Sequence, residues 1–299
     1  SPEEVAEKLS LHSFSVEKIE KQPNGDTVFE IEITPNRPDA MSVLGIAREV
    51  HAIFDRGTEF RDEVPDVKLK TKKSKPLELD VEIKDEELCP RFAAVILDNV
   101  EVGPSPALVQ ERLHAVGLRP LNNAIDITNY LMIERGQPMH VFDYDKIAGS
   151  KMSLRSSKAG EKIVTLDGEE RELPEGTIVI EDGEKLIDLC GIMGGANSKV
   201  DENTERVMVF VQIYDPRRIR ETVQEMAFRT DAATRFEKGM DPRGILPAMK
   251  AAVEFLQENA GAKVASNLID IENEDYKELK IDLPISLVED VLGIKIASE

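Results

Sequence analysis

Apolar residues at the start of the chain recur at helical spacing in two short segments. The first helix opens with a capping box formed by Ser1 and Glu4. A second helix begins near Ser42, after which apolar residues return every three to four positions. Between the helices, residues 28–33 alternate apolar and acidic side chains, as a half-buried strand does. These patterns predict a small helical first domain over residues 1–60.

The longer second part of the chain carries many short strand patterns and few helices. Apolar or alternating segments typical of strands lie at residues 77–83, 92–97, 152–155, 162–165, 177–181 and 207–214. Helical patterns lie at about 106–116 and 245–259. Asp-Gly turns at 167–168 and 182–183 indicate hairpins. This mixture is typical of an α+β fold with a sandwich-like arrangement of strands.

A polar, lysine-rich segment at residues 61–76 separates the two parts and is predicted to be a linker. We expect the larger mixed β-sandwich-like domain to span residues 77–274. Residues 275–299 form the last predicted unit, in which residues 281–299 have the pattern of a strand, a turn, a short helix at 286–292, Gly293 and a strand. So small a unit cannot bury its apolar residues alone, so we interpret it as the truncated beginning of a following domain.

Charge and composition restrict the partners that the chain can take. The net charge is −20, which disfavours non-specific binding to nucleic acid, and we expect no DNA partner. One basic cluster precedes Pro76, and a solvated linker explains it better than an RNA contact: Lys68, Lys70, Lys72, Lys73 and Lys75. No apolar stretch is long enough to span a membrane. Cys89 and Cys190 are predicted to be reduced core thiols of a cytoplasmic protein.

Candidate chemistry is concentrated in residues 119–143, where polar side chains interrupt an otherwise apolar stretch. His140 follows a turn that contains Pro138. Taken alone, this histidine is most simply a structural residue, with Thr128 and Asn129 as turn formers. No phosphate-binding loop, paired Cys-x-x-Cys or His-Glu-x-x-His motif accompanies them, which disfavours nucleotide hydrolases and the common zinc enzymes.

Five collinear segments resemble the β subunit of bacterial phenylalanine–tRNA ligases, and the last of them resembles the opening of the domain that follows. They are ITPNRPD with SVLGIARE (33–49), RPLNN through DITNY to GQPMHVFD (119–143), GIMGG (191–195), TDAATRFEKGMDP (230–242) and PISLVEDVLGIK (284–295). The resemblance covers nearly the whole chain. It implies the N-terminal portion of that subunit, including the domain that hydrolyses tyrosine wrongly esterified to the tRNA for phenylalanine.

The resemblance also implies a site. Its catalytic residues would be His140, Asn129 and Thr128. Its substrate-binding residues would be Arg119, Pro138, Gly191, Gly194, Phe210, Gln212, Thr230 and Ala232. Because an aminoacyl ester is already activated, positioning a water and donating hydrogen bonds to the oxyanion can suffice, and no metal is needed.

Two departures from the family pattern bear on activity. The oligonucleotide-binding insertion usual in the first domain is missing, and only residues 21–25 occupy its place. Phe210 stands where the family has a glutamate that recognises the tyrosine hydroxyl. A phenyl group cannot do this, although Gln212 lies on the same strand face and can donate a hydrogen bond.

Three interpretations therefore stay open. The first is an editing hydrolase with altered tyrosine recognition, and the second is a relict structural or tRNA-docking domain of the same ligase. The third is a free-standing relative of the editing fold. By resemblance, the partners are the aminoacyl end of tRNA(Phe) and an α subunit in an (αβ)2 assembly. ATP and magnesium would be cofactors of the complete ligase at the α subunit, with no cofactor in this fragment, which should not activate phenylalanine alone.

Overall fold

The first part of the chain combines two helices with a hairpin. The computed structural model describes residues 1–54, 59–273 and 279–296. The elements of the first part are α1 (Pro2–His12), β1 (Val16–Lys21), β2 (Thr27–Ile31) and α2 (Val43–Phe54). The predicted capping box at Ser1 is present, and Ser42 accepts the N–H of Gly45 as α2 begins. Strand β1 was not expected, because its side chains are almost all exposed and show no apolar alternation.

The larger part contains six helices and twelve strands among the described residues, counting only α-helices and strands. Its strands are β3 (Asp80–Ile83), β4 (Arg91–Asp98), β5 (Met139–Asp143), β6 (Lys151–Ser156), β7 (Lys162–Val164), β8 (Glu170–Glu172), β9 (Ile178–Glu181), β10 (Leu186–Leu189), β11 (Met193–Gly194), β12 (Val207–Ile213), β13 (Lys263–Val264) and β14 (Ile269–Glu272). Its helices are α3 (Ala107–Ala115), α4 (Asn123–Arg135), α5 (Pro216–Glu225), α6 (Asp231–Phe236), α7 (Ile245–Ala260) and α8 (Ile285–Leu292). The predicted α+β class is confirmed.

Most strands belong to two five-stranded sheets. Sheet A has the order β11-β10-β9-β6-β3, and only its β3–β6 pair is parallel. Sheet B has the order β13-β4-β12-β5, with β14 also paired to β4, and all its pairs are antiparallel. The Asp-Gly turns close the hairpins β7–β8 and β9–β10, as predicted.

Sheet B is buried on both faces, which places it in the middle of a three-layer arrangement. Alternate residues of β12 point to opposite faces. Val207, Val209 and Val211 pack in the same core as the inward side chains of α4 and α7. Met208 and Phe210 pack in the core that sheet B shares with sheet A. The order of layers is helices, sheet B and sheet A, so the space between the sheets is enclosed by strands of both.

One expectation about local structure needs correction. Thr128 and Asn129 are not turn formers, because both lie within α4. Within the predicted linker, Lys70 forms an isolated β-bridge with Asn267, and the Leu69 carbonyl accepts the N–H of Leu268. This contact aligns the lysine-rich segment with the strand region of the larger part.

The final segment contains α8, which ends at Gly293 with a φ of +69° as the sequence suggests. The strands expected on either side of this helix are not present at residues 279–284 or 294–296. The remainder of the predicted domain, at 275–278 and 297–299, lies outside the described residues. Cys89 and Cys190 are both buried free thiols, as predicted. In the part of the chain that the structure describes, no helix is long and apolar enough to cross a membrane.

Candidate functional site

His140 lies on β5, on the face of sheet B that looks towards sheet A. Its cross-strand partner on β12 is Phe210. The imidazole meets two phenyl rings edge-on, with centroids 4.7 Å from Phe142 and 5.7 Å from Phe210. The residue keeps part of its surface accessible, but its Nε2 atom is buried and has no hydrogen-bond partner among the described residues. Burial lowers the pKa of His140 to about 4, so the imidazole is neutral at pH 7 and one ring nitrogen can accept a hydrogen bond.

The glycine loop, residues 191–195, lies directly against this imidazole. A methyl group on Gly194 would stand 2.5 Å from Nε2 of His140, closer than any real contact allows. Gly191 has a φ of +71°, and a side chain there would meet the rings of Tyr214 and Phe236. The loop therefore needs glycine both for its conformation and for its approach to His140.

Thr230 links the glycine loop to the start of α6. Its hydroxyl donates to the Ile192 carbonyl at 3.0 Å and accepts the N–H of Ala233 as the cap of α6. One side chain thus joins the loop and the helix start. Ala232, in the first turn of that helix, packs half-buried against the core between the sheets.

Phe210 fills the centre of the inter-sheet space with hydrocarbon. It is fully buried and stacks on Phe92 and Phe142, with ring centroids 5.7 Å and 5.1 Å away. Gln212, two residues along β12, is also buried, and its Oε1 atom has no hydrogen-bond partner in the described part of the chain. Its main-chain carbonyl accepts from the side chain of Gln137.

The other predicted site residues lie on α4 or in the segments just before α4 and β5. Thr128 is buried on α4, where its hydroxyl donates to the Ile125 carbonyl at 2.7 Å. Asn129 is half-buried on the same helix, and Arg119 is exposed before it. Pro138 is buried just ahead of β5. The structure therefore brings His140 together with the glycine loop, and it gives Thr128, Asn129 and Arg119 no hydrogen bond to that histidine among the described residues.

Three polar residues near the glycine loop were not predicted as site residues. Asp188 is buried on β10, where it is the cross-strand partner of Gly194. Cys190 and Tyr214 are buried close by. Burial raises the pKa of Asp188 to about 7. An acidic residue inside an apolar strand segment, Leu186-Ile187-Asp188-Leu189, is a signal that could have drawn attention to it.

Two surface grooves lie away from His140. One, of about 620 Å³, separates the first-domain hairpin from α3 and α4, and Arg112, Tyr130 and Arg235 contribute to its walls. The other, of about 460 Å³, lies beside α4 and α7. Neither contains the glycine loop. In the described ranges, no group of three or more His, Cys, Asp or Glu residues is arranged to hold a metal ion.

Comparisons with known proteins identify the family of the chain. The B3/4 domain family matches residues 88–261. The chain is 41% identical to the phenylalanine–tRNA ligase beta subunit of Carboxydothermus hydrogenoformans, over 94% of this chain and 35% of that protein. It is 38% identical to the corresponding subunit of Geobacter metallireducens, over 92% of this chain and 34% of that protein. The chain thus spans about a third of the length of these curated relatives.

One solved structure is also similar to the chain. It is an N-terminal fragment of the phenylalanyl-tRNA synthetase beta subunit from Pyrococcus horikoshii, with 15% identity and a TM-score of 0.45, over 99% of this chain and 81% of that one. The family assignment does not depend on it, because the B3/4 match alone covers more than half of the chain. The chain belongs to the B3/4 domain family, and over most of its length it is similar to the β subunits of phenylalanine–tRNA ligases.

Proposed function

We propose that the chain is part of the β subunit of a phenylalanine–tRNA ligase and that its B3/4 domain hydrolyses aminoacyl esters of tRNA. The substrate would be tRNA(Phe) wrongly charged with tyrosine. The observation that carries the proposal is the contact between Gly194 and the unpartnered Nε2 of a neutral His140. Relatives about 40% identical over most of the chain supply the ligase context.

The chemistry asked of the site is modest. Water attacks the ester carbonyl, the bond between that carbon and the ribose oxygen breaks, and the ribose oxygen takes up a proton to become a hydroxyl. A neutral imidazole can accept a hydrogen bond from the attacking water, since its pKa of about 4 leaves it unprotonated at pH 7. Backbone N–H groups of the glycine loop can approach the developing oxyanion because no side chain intervenes.

Selectivity for tyrosine is expected to be weak. Phe210 offers only hydrocarbon between Phe92 and Phe142, so the phenolic hydroxyl would gain no hydrogen bond from it. A site without a polar partner for a hydroxyl discriminates poorly between substrates that differ by that group. We therefore expect tyrosyl and phenylalanyl esters to be cleaved at rates within about tenfold of each other.

The partners follow from the same proposal. The aminoacyl end of tRNA(Phe) would enter at the accessible side of His140. Activation of phenylalanine would require an α subunit with ATP and magnesium, in an (αβ)2 assembly.

The test is loss of the ester from tyrosine-charged tRNA(Phe) mixed with the purified chain. His140→Ala should lower the rate roughly a hundredfold, because a positioned acid–base group contributes at least that much. His114→Ala is the matched control, since His114 is exposed on α3 away from the glycine loop. Equal rates for wild type and His140→Ala would exclude a catalytic site at this histidine.

A second candidate function is a structural or tRNA-docking domain without catalysis. The aromatic stack of Phe92, Phe210 and Phe142 favours it, because these rings fill part of the inter-sheet space. Under this alternative, the chain would bind tRNA(Phe) but leave the ester intact, and His140→Ala would change stability only. Gel-shift and ester-loss measurements on the same samples separate the two.

A further inference from the structure

Two polar atoms on the face of sheet B that is turned towards sheet A lack partners. Oε1 of Gln212 and Nε2 of His140 are both buried, and neither has a hydrogen bond within the described residues, whereas the buried hydroxyl of Tyr214 lies beside Cys190. Buried polar atoms in folded proteins nearly always have a partner, and each one left without costs about 1–3 kcal/mol. Two such atoms on the adjacent strands β5 and β12 indicate that the missing partners come from a molecule that enters the space.

Asp188 lies in the same layer, on the opposite sheet. It is the cross-strand partner of Gly194, so both residues point to the same face of sheet A. That face is turned towards sheet B, because the space a Gly194 side chain would occupy is filled by the His140 ring. Cross-strand partners hold their Cβ positions about 4.5–5.5 Å apart, which puts the Asp188 carboxyl near that ring.

The opposite end of the layer is marked by Tyr214, which lies close to Cys190 and Asp188. Gln212 stands between Tyr214 and Phe210 along the same face of β12. Asp188 and Gln212 are therefore enclosed between two contacts, one of His140 with the glycine loop and one of Tyr214 with the residues around Cys190.

The chemistry of these atoms specifies what is missing. A carboxylate, an amide oxygen and the unprotonated nitrogen of a neutral imidazole are all acceptors, so their partner must be a donor. The side chain of Cys190 forms a hydrogen bond with the Asp188 carboxyl, but no lysine or arginine in the described ranges is paired with it, and burial raises its pKa to about 7. A buried carboxylate without a cation is costly, and a cationic donor would relieve that cost. The α-ammonium group of an aminoacyl ester is such a donor.

We propose that Asp188 is a substrate-binding residue that pairs with the α-ammonium group of the aminoacyl ester, with Oε1 of Gln212 accepting a further hydrogen bond from it. This inference rests on the proposed function, and it defines the substrate class as esters that carry a free α-amine. The interaction is the same for every amino acid, so it orients the ester beside His140 without selecting the side chain. This agrees with a pocket in which Phe210 provides no polar contact.

The experiment uses two substrates that differ only in the amine. One is tRNA(Phe) charged with tyrosine, and the other carries 3-(4-hydroxyphenyl)propionate, which keeps the ring and ester but lacks the α-amine. Each is tested with wild type, with the isosteric variant Asp188→Asn, and with Asp66→Asn as a control at an exposed carboxylate. Calorimetric binding of tyrosinamide and of 3-(4-hydroxyphenyl)propionamide to the same proteins gives a readout without catalysis.

Wild type and Asp66→Asn should cleave the amine-bearing ester about 30-fold faster than the deaminated one after correction for their uncatalysed rates. Asp188→Asn should reduce this ratio to near unity while it leaves cleavage of the deaminated ester almost unchanged. A ratio near unity in wild type, or an equal loss on both substrates in Asp188→Asn, would overturn the inference. Because the wild-type ratio alone is decisive, the test does not depend on the variant folding.

The binding measurement separates this inference from the proposed function. If wild type cleaves neither ester but binds tyrosinamide in an Asp188-dependent manner, the hydrolase function fails and the ammonium site stands. If wild type cleaves the esters but binds the two amides equally, the hydrolase function stands and the ammonium site fails. Binding of neither amide together with no cleavage contradicts both.

Discussion

Gly194→Ala is expected to push the candidate catalytic histidine out of place. The added methyl would stand 2.5 Å from Nε2 and 2.6 Å from Cε1 of His140, and 3.3 Å from Cδ1 of Leu166. Normal contact is about 3.5 Å, so the imidazole or the loop must move by about 1 Å. The imidazole cannot retreat freely, because Phe142 and Phe210 hold it on sheet B.

The magnitude follows from overpacking of a closed core. Such an insertion costs about 1–3 kcal/mol of unfolding free energy. A displacement of 1 Å at a reacting group can also cost about 100-fold in rate, so ester hydrolysis should fall much more than stability does. Urea denaturation measures the first effect and loss of the tyrosyl ester measures the second. Gly103→Ala is the matched control, since a methyl there meets nothing within 4 Å and the backbone angle is ordinary.

A double-mutant cycle tests the cause of the effect. In a His140→Ala background the imidazole is gone, so Gly194→Ala should cost less than about 1 kcal/mol, the difference being the coupling between the two positions. If Gly194→Ala destabilises both backgrounds equally, the clash is not with His140. The placement of the glycine loop against that imidazole would then be refuted.

Three further results are expected from the same structure. The pKa of Asp188 is raised from 3.8 to about 7 in the folded state, so folding loses stability as the pH rises from about 4 through 7. Asp188→Asn removes this pH dependence. The unfolding free energy of the variant, measured in urea, should therefore rise by about 2–3 kcal/mol relative to wild type between about pH 5 and about pH 8; a constant difference would contradict this. Thr230→Ala removes the hydrogen bond to the Ile192 carbonyl and should slow ester hydrolysis about tenfold, whereas Thr230→Ser should keep both the hydrogen bond and the rate. Equal losses of rate in the two variants would show that this hydrogen bond does not position the glycine loop. Asn123→Ala leaves two carbonyls and one N–H without their side-chain partners and should lower the unfolding free energy by about 3 kcal/mol, and a loss below about 1 kcal/mol in urea would show that the bonds matter little.

The elements that the sequence predicted well are those in which burial follows a simple period. Helix α7 was expected at 245–259 and spans Ile245–Ala260, and β12 was expected at 207–214 and spans Val207–Ile213. In α7 one apolar face packs on sheet B, which produces the helical spacing. In β12 both faces are buried, which produces a continuous apolar run.

Helix α4 was missed because buried polar side chains interrupt its apolar face. Asp126 accepts hydrogen bonds from Ser105 and from the Leu121 N–H, and Asn123 bonds three backbone groups. Most of the partners of these side chains lie 20 or more residues away in the chain, which periodicity cannot reveal. The hydrophobic pattern therefore did not reveal α4, which a network of polar side chains helps to stabilise.

The arrangement of the candidate site could not be predicted from the sequence. Motif resemblance named His140, Gly194 and Phe210, yet their contacts depend on strand pairings across long sequence separations. The partnership of His140 with Phe210 requires the β5–β12 register, and a shift of one residue would turn the imidazole to the helix side of sheet B. Asp188 stands out in sequence only as an acidic residue within an apolar strand, and its position opposite Gly194 is given by the β10–β11 pairing.

The charges of the site explain how it can bind a cation and remain stable when empty. Burial makes the neutral forms of His140 and Asp188 favourable, so the empty inter-sheet space carries little net charge. The pKa of Asp188, about 7, means that ionising this carboxyl at neutral pH costs less than about 1 kcal/mol. An entering ammonium group can therefore convert the acid to its carboxylate at little cost and gain a buried ion pair. If the pKa of this acid had instead been low, the empty site would hold an unpaired buried charge, which is far more costly than the neutral acid. A carboxyl group that titrates near neutrality is thus the form of acidic residue best suited to this position.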